Sequence, residues 1–243
     1  MTKFSFEVPI PHLHDFDEDQ DFFFTLSMLY QRPEYADYIA EKMSEGLRTI
    51  WVDNSFNEKF VAEKASDLVK IARDYRAAKL IVPDDINWSG DQIFHEYEKV
   101  FNLLRYESEE FMPIVVVKDP QMLDFLLERH IDHMAISYWN RHLWSRSQLR
   151  EAIDYLDGNL HFLGLLSVQE VIDCHPKSLD TSMPIKLALR GQSLRQWAIE
   201  GYPHIHTKDL GVEGNDFFNT VMSPKQIALA KDNIQQLKEA ATL

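Results

Sequence analysis

Three short apolar runs in this 243-residue chain end in aspartate. Val52 leads into Asp53 and Asn54, Val82-Pro83 into Asp84 and Asp85, and Ser178-Leu179 into Asp180, Thr181 and Ser182. Two carboxylates near one reaction centre, one ionised and one protonated, are what displacement at a sugar anomeric carbon requires. One attacks C1 while the other delivers a proton to the departing group. Like charges held close together push one pKa up, which supplies the acid at neutral pH. A third Asp can instead accept hydrogen bonds from the N–H groups of a purine-like base. Asp and Asn are also favoured helix caps and turn residues, and for any single Asp that role outweighs a chemical one by about two to one. Three at corresponding positions shift the balance towards chemistry.

These residues are positioned by a repeated strand–helix pattern. Runs rich in β-branched and aromatic residues predict strands at Phe4 to Pro9, Phe22 to Met28, Thr49 to Val52, Lys79 to Val82, Pro113 to Val117, His133 to Ser137, His161 to Leu165 and Ser178 to Leu179. The second run reads equally well as helix. Amphipathic stretches lie between them, such as Glu58 to Arg76, where Phe60, Ala65, Leu68, Val69 and Ala72 recur at helical spacing, and Pro120 to Glu128, which opens on proline. Eight units predict an α/β fold, a (β/α)8 TIM-type barrel, as a single domain over 1–243. The barrel occupies about 4–191; a loop at Gly201 to Asn215 and a C-terminal helix from Ser223-Pro224 through Glu239 lie within about 192–243. Doubly wound sheets share the local pattern, and the number of units favours closure.

Barrel active sites sit where the strands end. The polar residues there also include His12, His14 and Asp15 after the first strand, Lys118 and Asp119 after the fifth, Ser137, Tyr138, Trp139 and Asn140 after the sixth, and Ser167 and Glu170 after the seventh. Composition narrows the function classes. With 45% apolar residues the chain can bury a full core, and no stretch approaches the roughly 20 apolar residues of a membrane span. The N-terminus shows no basic segment followed by an apolar run, so the expectation is no export signal and a cytoplasmic location, the host cytoplasm if phage-encoded. Cys174 is the sole cysteine, which excludes an internal disulfide and a multi-cysteine zinc site. The net charge of -14 argues against a broad nucleic-acid-coating surface while leaving room for a locally basic cleft.

The stretch His161-Phe162-Leu163-Gly164-Leu165-Leu166-Ser167-Val168-Gln169-Glu170, followed by Ser178-Leu179-Asp180-Thr181-Ser182-Met183-Pro184-Ile185-Lys186-Leu187-Ala188-Leu189-Arg190-Gly191, resembles the last two barrel units of tRNA-guanine transglycosylases. Asp180 matches the position of that family's nucleophile. Val52-Asp53-Asn54-Ser55-Phe56 is similar to the family's Asp-Ser-Gly-Gly-Phe segment, which gives Asp53 the general acid/base position. Val82-Pro83-Asp84 corresponds to the fourth-strand Asp that recognises the incoming base, with Asp85 an adjacent competitor. The brevity of these motifs resembles the DNA-modifying branch, the 7-deazaguanine DNA transglycosylases of bacteria and phages. The resemblance spans about residues 4–191 and is specific at Asp53, Asp84 and Leu163 to Gly191.

What the resemblance implies is exchange of guanine in DNA for a free 7-deazaguanine base through a covalent nucleotide on Asp180. Asp84, Asp85, Phe56, Ser137, Tyr138 and Gly164 would contact the base, and Lys186, Arg190 and Arg195 the flanking phosphates. The target nucleotide must leave the stack or be single-stranded. The tRNA enzymes hold a structural zinc with three Cys and a His. One cysteine cannot supply that set, so no zinc, no other metal and no cofactor is expected, and DNA is favoured over tRNA. Ile136-Ser137-Tyr138-Trp139 replaces the family's paired glycines, and Val117-Lys118-Asp119 replaces its fifth-strand Gln. No membrane partner is implied, and a homodimer is compatible with this reading.

Two other readings compete. A metal-dependent amidohydrolase is suggested by His12-x-His14 together with Asp180, but it needs further His at strands five and six. His130 and His133 precede strand six, His142 lies beyond it, and His204 and His206 could serve only by folding back. A surface-loop role for the His12-x-His14 pair is favoured over either function. The third reading is a non-catalytic nucleotide-binding barrel, since fold alone never proves activity.

Overall fold

The computed structural model describes residues 1–46, 49–105, 111–203, 205 and 216–243. Eight strands alternate with helices: β1 (Lys3–Phe6), β2 (Phe23–Leu26), β3 (Ile50–Asp53), β4 (Lys79–Ile81), β5 (Met112–Val116), β6 (Met134–Ser137), β7 (Leu160–Leu163) and β8 (Ser178–Thr181). The sheet order is β1-β8-β7-β6-β5-β4-β3-β2, and the registered pairs are parallel. This is a TIM-type (β/α)8 fold, as the repeated pattern predicts. All four residues of β2, β3, β6, β7 and β8 are buried, as in parallel strands covered on both faces. β8 departs in composition, because Ser178, Asp180 and Thr181 are buried polar groups.

The helices are α1 (Pro33–Glu45), α2 (Phe56–Lys59), α3 (Ala65–Asp74), α4 (Gly90–Arg105), α5 (Pro120–Leu127), α6 (Arg146–Leu156), α7 (Val168–Cys174), α8 (Met183–Leu189), α9 (Leu194–Ile199) and α10 (Pro224–Ala240). The ambiguous second run is strand over Phe23–Leu26 and then a 3-10 turn, Ser27–Leu29. The single helix expected over Glu58 to Arg76 is two. Phe60 turns left-handed at φ 54° and ends α2, while Ala65, Leu68, Val69, Ile71 and Ala72 form the buried stripe of α3. Phe60 lies outside that stripe and is 66% exposed. Among the described residues no helix is long and apolar enough to cross a membrane. His204, His206 and most of the Gly201 to Asn215 loop lie outside the described residues.

The chain divides into two compact units, Phe22–His161, and Met1–Asp21 with Phe162–Leu243. In the first, Val52 pairs with Leu80, and Leu80 with Pro113, so the segments leaving β3, β4 and β5 run side by side. A ring cluster fills the interior: His161 stacks on Phe24 at 5.4 Å and meets the edge of Trp51 at 5.1 Å.

In the second unit β1 pairs with β8, setting Ser5 opposite Asp180. The other side of β1 is satisfied by Gln20 and Asp21. The Gln20 amide accepts from the Phe6 N–H at 2.7 Å and donates to the Phe6 carbonyl at 3.0 Å, and Asp21 Oδ2 accepts from the Phe4 N–H at 2.8 Å. Buried strand-edge groups must be paired somewhere, and here Gln20 and Asp21 do it, the Asp21 N–H also donating to the Phe4 carbonyl at 2.8 Å. Asn233 on α10, fully buried, accepts from the Leu194 N–H at 2.7 Å and donates to the Pro184 and Gln192 carbonyls at 3.2 Å each. One amide thereby ties α10 to the first turns of α8 and α9.

Candidate active site

The turn leaving β3 is held by its own side chains. Asp53 Oδ2 accepts from the Ser55 N–H at 2.8 Å, and Asn54 Oδ1 accepts from the Phe56 N–H at 3.0 Å. Ser55 is fully buried and left-handed, at φ 53°. Its hydroxyl accepts from the Met28 N–H at 3.1 Å and meets the Ser27 hydroxyl at 3.0 Å. A non-glycine residue persists in that conformation only where its surroundings over-determine it. The turn aims Asn54 towards the next strand, where Nδ2 donates to the Val82 carbonyl and to Asp84 Oδ1, both at 2.7 Å. Asp53, Asn54 and Asp84 are all buried. Asn54 thereby holds Asp84 directly, while Asp53, its chain neighbour, holds the turn that places Asn54.

The aspartates at the strand ends separate by what they hold. Asp119 caps α5 through the Met122 N–H at 2.8 Å, and Asp85 Oδ1 accepts from the Asn87 backbone and side chain, at 2.8 and 3.2 Å. Those are local turn-forming roles. Asp84 is different: its partner is a side chain thirty positions away, and Oδ2 takes no hydrogen bond among the described residues. Burial pushes its carboxyl up to about 6; the Asn54 hydrogen bond and the Lys118 charge pull the other way, and Asp85 adds to the rise.

Lys118 lies just past β5, after Val117. It is 5% exposed, and Nζ has no hydrogen-bond partner among the described residues. Burial holds its pKa below the ordinary lysine value, opposed by the charges of Asp84 and Asp85. Its carbonyl accepts from Trp144 Nε1 at 3.1 Å, which pins the chain leaving β5 to the loop after β6. In that loop Arg141 is buried, Tyr138 and Trp139 lie with ring centroids 5.0 Å apart, and Ser137 is buried. Phe56, expected as a stacking residue, is buried with its ring edge-on to Phe60. Asn54 and Lys118 stand among the polar residues that the sequence places at strand ends, but it assigns neither a role in the site. Their place just past β3 and β5 is the signal that could have done so.

In the second unit Asp180 is 4% exposed near the end of β8, and Oδ1 accepts from the Gly164 N–H at 3.3 Å. Gly164 has φ 72°, which suits glycine and turns its N–H at the end of β7 towards β8. Thr181 Oγ1 accepts from the Met183 N–H at 3.0 Å and starts α8, with Pro184 in its first turn. Lys186 is half-buried with its ammonium 5.6 Å from the Phe217 ring, while Arg190 and Arg195 are exposed. His12 has both ring nitrogens engaged, Nδ1 with Asp15 at 2.8 Å and Nε2 accepting from the Met222 N–H at 2.7 Å. His14 is exposed, 3.8 Å from Asp17.

No protein-family model matches the chain, and no curated protein matches it in sequence. Solved structures do match its fold over nearly the whole length. D-Psicose 3-epimerase from Clostridium cellulolyticum H10 aligns with a TM-score of 0.57 at 11% identity, covering 99% of each chain. A native KDPGal structure aligns at 0.52 and 9% identity, covering 99% of this chain and 95% of the other. 3-Hexulose-6-phosphate synthase from Salmonella typhimurium aligns at 0.50 and 12% identity, covering 98% and 100%. At these identities the likeness defines the TIM-type fold and nothing finer.

Proposed function

We propose that this chain is a base-exchange transglycosylase, replacing guanine in DNA by a 7-deazaguanine through a covalent aspartyl–nucleotide intermediate. The observation that carries the reading is the Asn54–Asp84 clamp beside Asp53. Asp84 is a buried acid held by a side chain thirty positions away, and it lies with Asp53 at the strand ends where the resemblance puts base recognition and proton transfer. Buried acids with shifted proton affinity and a free oxygen are the usual mark of a functional site.

In this reading an Asp180 oxygen attacks C1′ of the guanosine nucleotide as the C1′–N9 bond breaks, and guanine leaves with a proton from Asp53. The incoming base then gives its N9 proton to Asp53 and attacks C1′, breaking the ester to Asp180. Two inversions give retention. Asp84, ionised above its pKa of about 6, accepts from the N–H edge of the base. Arg190 and Arg195 are the exposed cations offered to phosphate.

The metal-hydrolase alternative loses its first ligand here, because both nitrogens of His12 already hold protein groups. The test is label release: guanine-labelled DNA or tRNA incubated with the protein and 7-deazaguanines, with and without chelator. Release from DNA that is unaffected by chelator is expected. Release from tRNA alone would overturn the substrate choice, and loss on chelation would revive the metal reading.

A further inference from the structure

Within Phe22–His161 the buried charges near the strand ends divide by sign. Asp53 ends β3 and Asp84 follows β4, whereas the buried cations Lys118 and Arg141 follow β5 and β6. An ammonium buried without an acceptor is costly to keep, and burying it with three unused donors makes sense if a ligand supplies the acceptor. Asp84 Oδ1 is already held by Asn54, and no described residue reaches Lys118 Nζ with a hydrogen bond. The Trp144 bond to the Lys118 carbonyl fixes the backbone, so the side chain is presented from a held position.

We propose that Lys118 is a specificity-determining residue that reads an anionic substituent on the incoming base. The proposal rests on the base-exchange reading for the identity of the ligand. A base that offers N–H groups along one edge and a carboxylate on another matches this division, the N–H edge facing the acids and the carboxylate the lysine. Guanine itself has no anionic group for the lysine. The departing base therefore offers the ammonium only neutral acceptors, whereas the entering one offers a charge-assisted bond, which biases exchange in one direction. Charge-assisted bonds in a desolvated pocket are the strong ones, and they discriminate sharply against a like charge.

The experiment is calorimetric binding of 7-carboxy-7-deazaguanine and 7-aminomethyl-7-deazaguanine to the full chain near pH 7.5. These bases carry opposite charges on the substituent. The carboxylate should bind about tenfold tighter or more, and Lys118→Met should bring the two within about twofold while Lys118→Arg keeps the preference. Lys118→Met keeps a similar volume but removes the charge beside Asp84, so thermal denaturation confirms that each variant is folded at the titration temperature, and Lys118→Arg keeps the charge as the control. Equal affinities in the native protein, a preference for the ammonium, no binding of either base, or a preference that survives Lys118→Met would each overturn the proposal. Exchange into DNA is scored separately. If it fails while the Lys118-dependent preference holds, the base-exchange reading falls and the lysine site stands.

Discussion

Asn54 and Asp84 lie thirty positions apart in the chain and 2.7 Å apart in the fold. The same Asn54 amide nitrogen also donates to the Val82 carbonyl, so one side chain fixes both the path of the backbone leaving β4 and the orientation of the acid two residues on. Replacing it by Ala leaves a buried carbonyl and a buried carboxylate each short of a donor. We expect Asn54→Ala to cost about 2 kcal/mol or more of stability and to raise the KM for the incoming base at least tenfold. Asn54→Asp should do worse, since it sets a second carboxylate against Asp84. Urea denaturation and base-dependent label release check both, and unchanged KM in Asn54→Ala would remove the clamp from the site.

The pH dependence follows from Asp84. Its folded-state pKa, about 6, lies above the ordinary value of 3.8, so the folded chain holds this proton more tightly than the unfolded chain. Raising the pH from about 4 through 6 therefore lowers stability, with the cost fully present above 6 and at most about 3 kcal/mol. Asp84→Asn lacks that titration. The stability difference between native protein and variant should shift in the variant's favour as pH rises across this window, less whatever Lys118 loses when its neighbouring charge is removed. A difference that is flat between pH 4.5 and 7 would contradict the assignment. Base affinity in the native protein should rise over the same interval, because only the ionised acid accepts from N–H groups on both oxygens.

Much of this was legible in the chain. Eight apolar runs predicted eight strands, and Ser178-Leu179, a weak signal of two residues, marks the strand that carries Asp180. β8 is hard to read because its buried positions are polar, so hydropathy alone undervalues it. The split between α2 and α3 was hidden, since Phe60 looks like part of the buried stripe and only its left-handed backbone breaks the helix. Asp84 could be singled out by position, but not told from Asp85 and Asp119, because an acid that holds a turn and an acid held by a distant side chain differ only in their partners. The roles of Asn54 and Lys118 depend on which neighbour each meets across the sheet, which a single sequence does not encode locally.

Asn233 tests the packing that supports the second unit without touching any proposed catalytic group. Its three bonds serve the Leu194 N–H and the Pro184 and Gln192 carbonyls. Asn233→Ala is expected to cost about 2–3 kcal/mol by leaving buried groups unpaired, and Asn233→Asp should also destabilise because a carboxylate cannot donate to carbonyls. Thermal denaturation reads both, with kcat per folded molecule unchanged below the transition. A variant as stable as the native chain would show that α10 is held by apolar contact alone.

The central claim is the covalent role of Asp180. A guanine-containing DNA strand is incubated with the protein in the absence of any incoming base, quenched in denaturant, digested and analysed by mass spectrometry. A strand lacking one guanine, joined by an ester to the peptide that contains Asp180, is expected. The adduct should be absent in Asp180→Asn, with exchange reduced at least a thousandfold, and Asp53→Asn should slow its formation about a hundredfold or more. Base exchange that proceeds in Asp180→Asn, or an adduct carried by a different residue, would contradict it.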